Sequence, residues 1–228
     1  MSSNIIFIHP MIFFLTLILF FYMVTDMSVR DSNSSNTKDH IINAAVRIFF
    51  QNGFQKTRIS DIVSEAGVAH GTFYLYFRSK EEIFRHINTN HMNRFVKVFE
   101  ETDHLFGGKD ARDIKKNVQT FLSKLLEIYK ENVHVSELLF REGVGHGGLF
   151  KEVQELFFKS FIGLLKEQMK RDIPKGRFPF EDSEIIAVFL LGMFLHSSSY
   201  FMLMKKQFNT EKLSRLMSDF MLNGLQLN

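Results

Sequence analysis

From Thr37 almost to the C-terminus, apolar side chains recur every three or four positions, and this period constrains the fold more than any other feature of the chain. Ile41, Ala45, Ile48 and Phe49 form one face of a first helix, with Thr37 as its N-cap and Asn52-Gly53 at its end. Ile59, Ile62, Val63 and Ala66 form the face of a short second helix that stops at Gly67, and a third is predicted from about His70 to Phe77. Ser79-Lys80-Glu81-Glu82 has the form of a capping box, in which the serine accepts from the third helical amide and Glu82 reaches back. It opens a long helix to about His104, before Gly107-Gly108. Further helices are predicted near 111–132, 133–143, 149–173, 183–206 and 210–226, some of them separated by the glycine-rich 143–148 and the loop 174–179. With only 3 Pro in 228 residues and no strand-like alternation, the expected fold class is all-α.

The first 26 residues differ from the rest. Residues 5–24 carry no charge apart from His9, and about 20 apolar residues is the length that spans a bilayer. No Lys or Arg precedes the apolar run and no small-residue cleavage site follows it, which argues against a secretory signal. Two readings remain. Either translation starts at Met27 and residues 1–26 are an upstream mis-start, or the segment is an inner-membrane anchor whose flanking Arg30 and Lys38 keep the body in the cytoplasm. Residues 27–36 are an arm, Ser/Asn-rich from Asp31 to Asn36 and expected to be flexible.

The absence of Cys removes disulfides, thiolate zinc sites and thiol nucleophiles together, and fits a reducing interior. The nine His are scattered, and His86 and His91 fall on different helix faces. No glycine-rich phosphate loop, nucleophile elbow or HExxH appears, so no catalytic residue, metal site or cofactor is expected. A net charge of +3 permits nucleic-acid binding without arguing for it.

The stretch GVAHGTFYLYFRSKEEIF, 67–84, is more specific. On a helix Phe73 and Phe77 share a face, as two buried residues would, while Gly71 and Leu75 point the opposite way and Thr72, Tyr74 and Tyr76 lie on the flanks. The phenylalanines are core, and the tyrosines offer flat rings with hydroxyls to the outside. Two short helices joined by a tight turn at Gly67 have the logic of a helix-turn-helix, whose second helix enters the major groove. His70, Thr72 and Tyr74 would reach base edges, and Lys80 with the start of the next helix would suit a phosphate.

Residues 37–87 resemble the DNA-binding domain of the TetR family of bacterial transcriptional regulators. The resemblance rests on Ile42, Ala44-Ala45, Phe49, Gly53, Asp61-Ile62, Ala66-Gly67-Val68, Gly71-Thr72, Tyr74, Tyr76-Phe77 and Ser79-Lys80-Glu81-Glu82. It implies base or phosphate contacts from Arg58, Ser60, His70, Gly71, Thr72, Tyr74, Leu75, Tyr76 and Lys80. Arg58 departs from the pattern, standing where the family often has a hydroxyl cap, and Ala69 replaces a frequent serine. Seven basic residues against five acidic ones in 37–87 would not by themselves mark the site.

Residues 88–228 resemble the family only in being helical and of suitable length. The resemblance implies a ligand-binding and dimerisation domain, a homodimer through the helices near 183–206 and 210–226, and a double-stranded, near-palindromic operator. It also implies a repressor released by a small-molecule effector. Phe121, Phe140, Phe161, Met193, His196 and Tyr200 are the candidate ligand contacts; a Met- and Phe-rich wall suits an apolar or aromatic ligand. The segment His196-Ser197-Ser198-Ser199-Tyr200 supplies either polar groups to a pocket or a solvent- or dimer-facing side. Two other classes remain open, a membrane-anchored helical sensor with a DNA-binding head and a helical ligand-binding protein without DNA binding.

Overall fold

The computed structural model describes residues 32–143, 148–173, 183–205 and 208–224, and all regular structure among them is helical. The helices are α1 (Ser32–Asn52), α2 (Ile59–Ala66), α3 (His70–Tyr74), α4 (Lys80–Glu100), α5 (Ala111–Glu131), α6 (Val133–Gly143), α7 (Leu149–Asp172), α8 (Ser183–Ser199) and α9 (Thr210–Gly224). A π-helical turn, Tyr200–Met204, extends α8. The chain divides into two units, 1–39 and 40–228. Of the first, residues 32–39 are described, as the opening turns of α1; the apolar run 5–24 lies outside the described residues.

Helix boundaries follow the predicted ones closely at most ends, but the long helix stops at Glu100 rather than near His104, and the first and third also differ. The first helix begins at Ser32 rather than at Thr37, so part of the expected flexible arm is helical. Extending an existing helix adds one hydrogen bond per residue fixed, which is far easier than nucleating one, and modest propensity does not stop it. The third helix ends at Tyr74, and Phe77 is delivered by the turn that follows.

Within residues 40–228 there are two apolar cores. The first gathers Ile41, Ala44, Ala45 and Phe49 of α1, Ile62 and Val63 of α2, Phe73, Phe77, and Ile83, Phe84 and Ile87 of α4. Val135 and Leu138 of α6 complete it. Phe49, Phe73 and Phe84 have no exposed surface, and each such burial contributes on the order of 2 kcal/mol. The second core is larger and is built from α4 to α9, with Phe95, Phe99, Phe121, Phe157, Phe161 and Phe194 meeting mostly edge to face.

Helix α4 is common to both cores. Its first two turns enter the first core, and Met92, Phe95, Val98 and Phe99 enter the second. The boundary expected at 87/88 therefore falls inside a continuous helix, and Val153 of α7 packs against both cores. A tilt of α4 in one core must be felt in the other.

Candidate functional site

The second helix starts without a side-chain cap. Arg58 occupies the N-cap position in extended backbone, and its amide donates to the Asp61 carboxylate at 2.8 Å. Its own side chain is left exposed. Gly67 closes α2 at φ 67°, and its amide and that of Val68 return to Ser64 and Val63 at 3.2 and 3.1 Å. A residue with a Cβ is strained in that left-handed conformation, so glycine is needed where the chain turns into α3.

Helix α3 and the turn after it divide their side chains between core and surface. Phe73 and Phe77 are buried, while Tyr74 is 50% and Leu75 79% exposed. His70 and Gly71 are exposed beside them, and the His70 and Tyr74 rings lie 5.5 Å apart. Thr72 is half-buried, and Ser60 is exposed on α2. Tyr76 is also half-buried and packs against the first core, so its ring is more a support than a free reader. The structure thus brings Arg58, Ser60, His70, Gly71, Thr72, Tyr74 and Leu75 together on these two short helices and the turn that joins them.

Lys80 is held inside the protein. Its ammonium, expected at a phosphate, donates to the backbone carbonyls of Phe54, Gln55 and Thr57 at 3.0, 3.2 and 3.0 Å and stands 4.6 Å above the Phe54 ring. An ammonium has three donors, and all are engaged. The reason is local: the turn after α1 exposes carbonyls with no helical partner, and the start of α4 passes directly beneath them. The serine half of the α4 cap forms as predicted, while Glu82 reaches one residue past the N-cap. Ser79 accepts from the Glu82 amide at 3.2 Å, while the Glu82 carboxylate reaches back to the Arg78 amide at 2.6 Å.

The candidate ligand contacts do not form one cluster. Phe121 and Phe161 are buried on either side of Phe99, with ring centroids 4.8 and 5.0 Å from it. Met193 is half-buried against the same core. His196 is exposed and Tyr200 nearly half exposed, so both point away from it; the side chain of Phe140 lies outside those described. The serine run between His196 and Tyr200 divides. Ser198 is buried and donates to the Phe194 carbonyl at 2.6 Å, and Ser199 is half-buried. The run therefore has a buried side at Ser198 and an exposed side at His196 and Tyr200. The cavity in this core is small, about 10 Å³, between Met92, Phe95, Phe99, Phe157, Phe161 and Leu164.

A buried polar group sits beside that core, and sequence reasoning did not single it out. His91 of α4 shares a 2.7 Å hydrogen bond with Ser136 of α6. Burial, with a smaller contribution from the Arg94 charge, lowers the imidazole from 6.5 to about 3, which holds it neutral. Tyr129 of α5 donates to the Glu137 carboxylate of α6. Burial, that hydrogen bond and the Glu137 charge push the phenol up, against a smaller opposing effect of Ser199. Asn88 is buried one turn before His91; its amide nitrogen donates to the Phe84 carbonyl at 2.8 Å, and its Oδ1 has no partner. The signal that could have found them is in the register. Asn88 and His91 occupy positions on the apolar stripe of α4 between Phe84 and Phe95 where a core residue is expected.

Comparison with known proteins decides what this architecture is. Residues 41–87 match the family of bacterial regulatory proteins named for tetR. Residues 41–87 are thus a DNA-binding domain of the TetR family. The HTH-type transcriptional regulator YdgC of Bacillus subtilis (strain 168) is 28% identical over 174 residues, 75% of this chain and 84% of its own. The fatty acid degradation regulator FadR from Bacillus halodurans shares the fold with a TM-score of 0.69 at 21% identity, over 87% of this chain and 99% of that one. The transcriptional regulator FadR from Bacillus subtilis, solved in complex with stearoyl-CoA, gives a TM-score of 0.65 at 21% identity, over 81% and 97%. The TetR-type domain makes this chain a DNA-binding transcriptional regulator, with α2 and α3 as its helix-turn-helix.

Proposed function

We propose that the chain is a cytoplasmic, dimeric repressor that reads a near-palindromic operator and leaves it when a small, largely apolar effector enters the second core. One observation carries the reading: α4 is shared by the core behind the reading helix and the core that would hold the effector. An effector that prefers a tilted α4 shifts the equilibrium away from the DNA-competent form by its differential affinity alone. Arg58, Ser60, His70, Gly71, Thr72, Tyr74 and Leu75 are the proposed contacts to bases and phosphates, with Tyr76 bracing them.

The dimer is proposed through α8 and α9. On α8 Phe189 is 70% exposed, one turn from the exposed Ile185, and on α9 Phe220 is 71% exposed, one turn from the exposed Leu216. The stretch Ser183–Met204 is also long and apolar enough to cross a membrane, yet Ile186, Ala187, Leu190, Leu191 and Phe194 of the same helix are buried in the second core. Covering the remaining side with a second copy removes the apolar surface and sets two α3 helices about 34 Å apart, one turn of DNA. Phe121, Phe161 and Met193 are the proposed wall for the effector. The B. subtilis FadR structure shows the same fold around a guest with a long acyl chain, which supports an apolar body for the effector.

The test is fluorescence anisotropy of the chain against DNA flanking its own gene, at two salt concentrations, beside Tyr74→Ala. Tight binding that exceeds random DNA and is lost in the variant is the expected result. Binding no better than random DNA, with the variant unchanged, would remove the helix-turn-helix from the mechanism.

A further inference from the structure

The second core is not uniformly apolar along its length. Asn88, His91, Met92, Phe95 and Phe99 form a single stripe on α4, three, four, seven and eleven residues on from the first. The stripe runs from hydrogen-bonding groups to pure hydrocarbon. Its far end lines the 10 Å³ cavity with Phe157, Phe161 and Leu164. At the junction the His91 ring meets the Phe95 ring edge-on at 5.0 Å. Phe95 in turn touches Phe194 at 6.3 Å, and Phe194 touches Tyr129 at 6.2 Å. The Tyr129–Glu137 pair is therefore joined to the cavity by a continuous run of aromatic rings.

At the polar end the buried side-chain atom left without a hydrogen-bond partner is an acceptor. Asn88 Oδ1 is buried and unpartnered. Glu137 is buried, its bond comes from the neutral Tyr129 hydroxyl, and no cation among the described residues pairs with it. The nearest charged group acting on His91 is Arg94, whose guanidinium is drawn to Glu131 at the surface. A carboxylate withdrawn from water needs a positive partner to recover what it loses in hydration. Aromatic rings such as Tyr129 and Phe194 favour a cation as well.

We propose that Glu137, Asn88 and the His91–Ser136 pair form the head-group subsite of the effector chamber, and that the effector is a lipophilic cation carrying an N–H-rich head on an apolar tail. The head meets Glu137 and Asn88 Oδ1, and the tail enlarges the cavity between Phe95, Phe99, Phe157 and Phe161 by turning those rings. An anionic head, carboxylate or phosphate, faces Glu137 with like charge and is disfavoured. The subsite rests on the ligand-responsive reading given above and adds the charge of the ligand to it.

The experiment uses the full chain and three probes of equal tail length, dodecylammonium, dodecanoate and lauroyl-CoA, titrated calorimetrically below their micelle-forming concentrations. Expected is binding of dodecylammonium at least tenfold tighter than either anion. Glu137→Gln, which keeps an acceptor for Tyr129, should lose that advantage about tenfold, and Asn88→Leu should weaken dodecylammonium severalfold. Operator binding by both variants, measured in the same samples, confirms that they fold. Tighter binding of dodecanoate or lauroyl-CoA, or a dodecylammonium affinity that Glu137→Gln leaves unchanged, overturns the subsite while leaving the regulator intact. Failure of the unsubstituted chain to bind operator refutes the regulator reading itself, and that outcome is separate.

Discussion

Replacing Lys80 by Met keeps the stem over the Phe54 ring and deletes the ammonium that holds the carbonyls of Phe54, Gln55 and Thr57. Hydrogen bonds to a charged group contribute about 1.5–3 kcal/mol each where they are dry. Here Lys80 is half-buried and Gln55 is exposed, so water replaces part of the loss, and about 2–3 kcal/mol of stability for the set is the expected cost. The freed loop leads directly into Arg58 and α2, so operator affinity should fall about tenfold as the reading helices lose their support. The decisive assay is the salt dependence. A phosphate contact adds about 0.9 to the slope of log affinity against log salt, or about two units for a dimer. If Lys80 acts inside the protein, Lys80→Met weakens binding at every salt concentration in parallel and lowers the denaturation midpoint. A slope reduced by about two with unchanged stability would show that the ammonium leaves its carbonyls for DNA, and the clamp reading would be wrong.

Gly71 has open space where a Cβ would stand, and Gly71→Ala should leave thermal stability unchanged or slightly higher while operator affinity falls, if α3 approaches DNA by its backbone. His91 is held neutral in the folded state, with its pKa lowered to about 3 from 6.5, so the unfolded chain binds the extra proton between those values. Stability contributed by this group is complete above about pH 6.5 and falls as pH drops; by pH 4.5 the loss is about 2–3 kcal/mol, read as the difference between the urea-unfolding pH profiles of the chain and His91→Phe. Equal profiles would mean that His91 is hydrated. Phe220→Lys, at an exposed position on α9, should convert the proposed dimer to monomer by sedimentation with little change in helicity, and weaken operator binding by more than tenfold. An unchanged sedimentation coefficient would place the dimer contact elsewhere.

The periodic apolar faces and the breakers between them determined the helices to within a few residues, because burial of one stripe and a glycine in left-handed backbone at Gly67 are local requirements. The same logic separated Phe73 and Phe77 from Tyr74 and Leu75, although the helix ends at Tyr74 and it is the turn after it that carries Phe77 inward. What the local pattern could not decide is where long or polar side chains spend their hydrogen bonds. Lys80 finds its carbonyls 23 to 26 residues earlier in the chain, and His91 finds Ser136 45 residues later. Phe121 and Phe161 meet across Phe99, while His196 and Tyr200, equally plausible by composition, face outward. Those choices depend on which helices cross and at which register, and no spacing within a single helix encodes that. A lysine four carbons long at a helix start suits a phosphate or a carbonyl cluster equally; only the packing of α4 beneath the turn after α1 puts the carbonyls within reach first.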